Sequence, residues 1–154
     1  MDNFQTLSEL FSLDFQLMFR HVIHLFFAYL VAFPIGWERE HSERQFGLRT
    51  FPLVSVVTCG FMLVGIAVID SPDGRARVIQ GILTGIGFIG GGAIVKNKGS
   101  VSGISTATSI WNTGAIGVAA AFDRFEIAIV LVLLNVVTLF LFGKVKETVH
   151  NDNE

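Results

Sequence analysis

Charge and cysteine are scarce in this chain. Of its 154 residues only 24 are charged, 11 Lys or Arg and 13 Asp or Glu, and Cys59 is the single cysteine. One thiol excludes an intrachain disulfide and any zinc site of the CxxC kind, and its mid-span position makes it a packing residue. A formal net charge of −2 offers no broad basic face to neutralise phosphates, so nucleic acid drops out as a partner. The first nineteen residues hold Asp2, Glu9 and Asp14 but no Lys or Arg, so they do not read as a cleaved secretory signal. Also missing are HExxH, a phosphate-binding Gly-x4-Gly-Lys-Ser/Thr, a nucleophile elbow and a carboxylate pair for acid/base work. The expectation is a protein that is not an enzyme, with no cofactor and no metal site.

What is present is apolar, 51% of the side chains, and it lies in long uninterrupted intervals. Residues 50–69, 78–95, 104–122 and 127–143 are twenty, eighteen, nineteen and seventeen positions without Asp, Glu, Lys or Arg. At about 1.5 Å per helical residue each can cross the hydrocarbon, where only helices and closed barrels satisfy their own backbone. Residues 21–37 make a less clean first span, with His21 and His24 inside it and Arg20 at its margin. The sequence therefore predicts an all-α, polytopic helical membrane protein of about five transmembrane helices. Ahead of them Phe4, Leu7, Phe11, Phe15 and Met18 recur at helical spacing, an amphipathic helix at the interface or an extension of the first span. The organisation expected is an interfacial segment at 1–19, a membrane domain at 20–143 and a short cytoplasmic tail at 144–154.

Arg39, Arg44, Arg49, Lys96, Lys98, Lys144 and Lys146 fall on one side of these spans, and Arg20, Arg75, Arg77 and Arg124 on the other. The bias of basic residues toward the cytoplasm then predicts the N-terminus outside and the C-terminus inside.

Ten of the 16 glycines lie between Gly81 and Gly117. Gly81/Gly85 and Gly87/Gly91 are GxxxG pairs in the third span, and Ser109, Thr113, Gly117 and Ala121 recur every four residues in the fourth. Small residues on one face let helix backbones approach closely, so the third and fourth spans are expected to form the packed centre. Residues 85–90 also spell GxGxxG, but the dinucleotide fingerprint needs a preceding strand, a soluble helix and a later acidic residue, and here only another apolar span follows. Gly90-Gly91-Gly92 either breaks the helix, freeing carbonyls for a ligand, or marks its end before Lys96.

Gly36-Trp37-Glu38-Arg39-Glu40, Gly47-Leu48-Arg49-Thr50, the glycines Gly85, Gly87, Gly90, Gly91 and Gly92, and Val101-Ser102-Gly103-Ile104-Ser105-Thr106-Ala107-Thr108 leading to Trp111 resemble the MgtC/SapB family in order and spacing. The resemblance runs from about Gly36 to Phe142. Two departures stand out: Phe51-Pro52 replaces the histidine that usually follows Leu-Arg-Thr, and Gly90-Gly91-Gly92 replaces Gly-Ala-Gly. The founding member carries a soluble domain after the last span, whereas this sequence stops eleven residues past Gly143. The resemblance implies a multi-pass bacterial inner-membrane protein linked to growth in low magnesium and, in pathogens, to virulence. It implies the F-type ATP synthase as a partner for the founding member.

The polar residues divide by depth. Glu38, Arg39, Glu40, Glu43, Arg44 and Arg49, with Lys96 and Lys98, form either a charged cap for a partner or for lipid headgroups, with Arg49 pairing Glu38 or Glu40, or ordinary anchors of the span ends. Asp70, Asp73, Arg75 and Arg77 surround the turn at Ser71-Pro72; two carboxylates beside two arginines make a poor magnesium cage, so internal ion pairs are expected. No span contains Asp or Glu, whereas ion pathways usually show an ionisable group at membrane depth. His24, Gln80, Thr84, Ser105, Thr106, Thr108, Ser109, Asn112, Thr113 and Asn135 remain inside, most simply as bonds between helices. The function expected is modulation of a membrane complex or of ion homeostasis through helix packing, as a homo-oligomer in the bilayer. The alternative is a small cation transporter or channel, with the Gly90–Gly92 carbonyls and Asn112 as ligands.

Overall fold

A computed structural model describes residues 14–41, 46–97 and 100–151. These form an all-α fold of five helices, α1 (Phe15–His41), α2 (Thr50–Val68), α3 (Pro72–Gly92), α4 (Ile104–Ala121) and α5 (Phe125–Asn151). A two-stranded ribbon, β1 (Val95–Asn97) and β2 (Ser100–Ser102), joins α3 to α4. Its antiparallel register pairs Val95 with Ser102, Lys96 with Val101 and Asn97 with Ser100. This ribbon was not expected from the sequence.

Local chemistry sets the helix ends. The Asp14 carboxylate accepts from the amides of Gln16 at 3.0 Å and Leu17 at 3.1 Å, capping α1. Phe15 and Met18 therefore belong to the first turns of α1, while Phe4, Leu7 and Phe11 lie outside the described residues. Ser71 caps α3 by accepting from Gly74 N at 3.1 Å, with Pro72 in the first turn, where its missing N–H costs nothing, and Asp73 beside it. Gly103 opens α4 with φ +88°, and a β-carbon there would collide with the Ala93 carbonyl oxygen, so glycine is required at this corner.

Helix α4 packs against all four other helices, and its broadest contact is with α2. Its small residues explain this. Thr113 and Ala120 are fully buried, Ser109 and Ala121 nearly so, and at Gly117 a β-carbon would collide with the Ser55 carbonyl oxygen of α2. Around this axis Ile35, Phe51, Ile86, Ile110, Ile116, Ala128 and Val132 make one core cluster, and Ala28, Cys59, Met62, Ala120 and Ala121 a second. Cys59 is a buried free thiol.

The outer faces are apolar as well, with Phe61, Phe88 and Leu134 among many exposed large side chains. By length and composition, Phe15–Glu40 and Thr50–Val68 can cross a membrane, and Phe125–Leu141 is a shorter apolar stretch.

Candidate functional site

The motif residues gather in three places. At the junction of α1 and α2, Glu38, Arg39 and Glu40 occupy the last turns of α1, and Gly47, Arg49 and Thr50 lead into α2. Glu40 Oε2 accepts from the Leu48 amide at 3.0 Å. A β-carbon on Gly47 would run into that carboxylate, so the Gly47 position keeps the loop close to α1. Arg39 is only 4% exposed, and its Nε lies 3.6 Å from Glu38 Oε2. Burying a guanidinium is costly unless a carboxylate or carbonyl compensates, which makes Glu38 and Arg39 one unit. Of the two arrangements open for these charges, the pairing of Arg49 with Glu38 or Glu40 does not form. Glu40 is engaged by a backbone amide and Arg49 stands exposed at the N-cap of α2. Lys96 is exposed in β1, while Glu43, Arg44 and Lys98 lie outside the described residues.

At the opposite end Arg75 donates from Nε to the Ile69 carbonyl at 2.8 Å and reaches the Ile66 carbonyl at 3.5 Å. It thus covers the unsatisfied carbonyls at the C-terminus of α2, where the helix dipole favours a cation. The expected ion pairs give way to this cap: among the described residues neither Asp70 nor Asp73 pairs with Arg75 or Arg77. Asp73 instead sits in the first turn of α3, the favourable end for a carboxylate.

The same end holds a network the sequence reading left out. His24 Nδ1 lies 2.7 Å from the Arg20 carbonyl and its Nε2 2.8 Å from Asp123 Oδ1, while Arg20 donates to Asp123 Oδ2 at 3.0 Å. Asp123 has φ +59° in the α4–α5 turn. The bond to His24 and then Arg20 hold its carboxyl below the ordinary value of 3.8. His24, expected as a bond between helices, is buried and ties α1 to the turn between α4 and α5. Asp123, the acidic half of an Asp-Arg pair between two apolar spans and a residue type that tolerates left-handed backbone, was the available signal.

Within the bundle, the expected match of the third and fourth spans is only half realised. Ser109, Thr113, Gly117 and Ala121 are buried in α4, but Gly117 faces Ser55 and Thr58 of α2 and Ser109 meets Asn135 of α5. On α3, a β-carbon at Gly81, Gly85, Gly87, Gly91 or Gly92 would meet nothing within 4 Å. The contact between α3 and α4 is made instead where Gly90 faces the Ala107 carbonyl and where Ile86 fills the space left by Gly114. Gly81 and Gly85 line an open apolar groove of about 500 Å³ between α2 and α3, with Leu53, Val57, Phe61 and Ile89. Helix α3 runs unbroken through Gly92, and the amides of Ala93 and Ile94 bond to the carbonyls of Gly90 and Gly91 at 3.0 and 3.1 Å. The triple glycine therefore ends a helix, and the unwound ligand site does not form.

The third place is a polar groove between α4 and α5, lined by Ser105, Thr108, Ser109, Asn112, Asn135 and Thr138 among leucines. Ser109 Oγ lies 3.1 Å from Asn135 Oδ1, and Asn112 Nδ2 donates to the Leu131 carbonyl at 3.3 Å. Trp111, next to Asn112, is half exposed on the outer face. Thr106 is buried, and its hydroxyl has no hydrogen-bond partner among the described residues. Among the described residues no three His, Cys, Asp or Glu side chains come together.

The arrangement is one of helix contacts and capped ends. A family model described as the MgtC family matches residues 25–148. Protein MgtC of Salmonella typhimurium is 35% identical over 118 residues, covering 77% of this chain and 50% of that protein. The protein named "Putative magnesium transporter YhiD" of Escherichia coli is 31% identical over 139 residues, covering 86% and 65%. Protein SrpB of Synechococcus elongatus is 33% identical over 135 residues, covering 79% and 74%. The chain spans about half the length of the MgtC proteins it matches. No solved structure matches it. With apolar helices long enough to cross a bilayer and outer faces of Phe, Leu and Val, the chain is a membrane protein that belongs to the MgtC family.

Proposed function

We propose that this protein serves magnesium homeostasis as a non-enzymatic modulator, associating with itself and with another membrane complex through its helices. In this reading all five helices cross a bacterial inner membrane, with the N-terminus outside and the C-terminus in the cytoplasm. The observation that carries it is how the polar groups midway along α4 and α5 are used. Ser109 and Asn135 bond to each other, and Asn112 bonds to the Leu131 carbonyl, so hydroxyls and amides join helices. No span has a carboxylate, which disfavours a permeation path for a divalent cation. The link to magnesium comes from the name that YhiD of Escherichia coli carries and from the family resemblance, which also makes the F-type ATP synthase the first complex to test as a partner. The same resemblance supports a role in virulence where the host bacterium is a pathogen.

One observation favours cation transport as the second reading: the α4–α5 groove, about 420 Å³, gathers hydroxyls and amides on one wall of the bundle. Liposomes containing only this protein and a magnesium-sensitive dye separate the two. The modulator reading expects no flux above protein-free vesicles, together with impaired growth in low magnesium when the gene is deleted. Reproducible, selective magnesium flux would overturn it.

A further inference from the structure

The α4–α5 groove leaves hydrogen-bonding capacity unspent at a depth where lipid can supply none. Asn112 sits midway along α4, nine residues before its end, and Asn135 ten residues after the start of α5, so both lie near the same level. The Leu131 carbonyl can only accept, so Asn112 presents Nδ2 to it and its Oδ1 faces the groove without a partner among the described residues. Asn135 meets Ser109 Oγ, which also lies 2.9 Å from the Ser105 carbonyl. Whichever way the Asn135 amide is turned, at least one of its two N–H groups has no partner among the described residues. The flanking hydroxyls make no such demand, because Thr108 and Thr138 donate to the carbonyls of Ile104 and Leu134 in their own helices.

One spare acceptor and one spare donor thus stand on the same face. We infer that this face is where a second copy of the chain docks, Asn112 of each copy accepting from Asn135 of the other across a two-fold axis. A two-fold contact is self-complementary, so a single geometry satisfies both pairs at once. The small hydroxyl side chains along the groove let the helices approach closely. The apolar groove between α2 and α3 makes no comparable demand, since acyl chains fill it as well as any helix does. This inference rests on the proposed reading that the chain works by helix contact in the bilayer, and it names the contact surface.

The test is dimer formation by the full chain in lipid nanodiscs and mild detergent. Asn112→Leu and Asn135→Leu should each weaken association by about tenfold, the loss of two symmetry-related amide bonds. Gly81→Leu, on the α2–α3 groove, should leave association unchanged, and circular dichroism checks that each variant folds. In a Cys59→Ala background, chains bearing Thr108→Cys mixed with chains bearing Thr138→Cys should be joined by a short bismaleimide. A purely monomeric native chain overturns the inference, as does a dimer indifferent to both asparagine substitutions, as does failure of the mixed cross-link. A dimer weakened by Gly81→Leu but not by Asn135→Leu would move the interface to the other groove while leaving the helix-contact reading intact. Magnesium flux from the liposomes overturns that reading whatever the dimer does.

Discussion

His24 Nε2 lies 2.8 Å from Asp123 Oδ1, and this contact ties α1 to the α4–α5 turn across 99 residues of chain. The other ring nitrogen faces the Arg20 carbonyl, so the ring bridges two acceptors and donates to both only as the imidazolium. His24 is 3% exposed, and Phe125 packs beside it with ring centroids 5.8 Å apart.

Replacing His24 with alanine removes a buried bridge and should destabilise the detergent-solubilised protein by on the order of 1–3 kcal/mol. Asp123→Asn should cost less, because that side chain is half exposed and its pairing with Arg20 is screened. The pH dependence has a definite sign. A carboxyl held below its ordinary value contributes stability that is present above 3.8 and is lost as pH falls through its lowered folded-state value. Thermal unfolding below pH 4 should therefore show a steeper acid loss in the native chain than in Asp123→Asn. Parallel acid profiles would refute the pairing.

At the same end of the bundle, the structure separates two arginines that the sequence treats alike. Arg75 holds the last carbonyls of α2, whereas among the described residues Arg77 has no such contact. Arg75→Ala should lower stability by about 1–2 kcal/mol and Arg77→Ala by less than about 0.5 kcal/mol. Arg75→Lys keeps the charge near the helix end but lacks the guanidinium fork, so it should recover only part of the loss. Equal melting temperatures for the two alanine variants would show that Arg75 is not a cap.

The helices themselves were legible in the sequence wherever charge bounds apolar length. The charge-free run 50–69 lies between Arg49 and Asp70 and corresponds to Thr50–Val68, and 104–122 corresponds to Ile104–Ala121. Residues 78–95 start six positions late for α3. That helix opens on the Ser71-Pro72-Asp73 cap and carries Arg75 and Arg77 in its early turns, where the absence of charge is the wrong signal. The ribbon was hidden because three-residue strands show no usable alternation. The pairing of His24 with Asp123 and the cap from Arg75 depend on side chains meeting after the chain has folded, which no local spacing encodes. Most instructive is α3, whose glycine spacing suits close packing on one face yet does not say which face looks inward. In lipid the hydrophobic effect does not distinguish an outer face from an inner one.

That ambiguity yields a prediction in which one kind of substitution has opposite effects at two glycines. At Gly117 a β-carbon would sit 2.9 Å from Thr58 Cβ and 3.0 Å from Cys59 N, in addition to meeting the Ser55 carbonyl. These are backbone and branched atoms that cannot swing aside, so α2 and α4 must separate. Gly117→Ala should cost about 1–3 kcal/mol as overpacking, and Gly117→Leu should prevent folding rather than merely weaken self-association. At Gly85 nothing lies within 4 Å. Gly85→Ala meets no obstacle and gains the helix propensity that glycine lacks, so it should stabilise the protein by about 0.5–1 kcal/mol. Thermal melts of the two alanine variants in one detergent decide the matter, and a destabilised Gly85→Ala would mean that α3 is already packed against a protein surface through its glycine face.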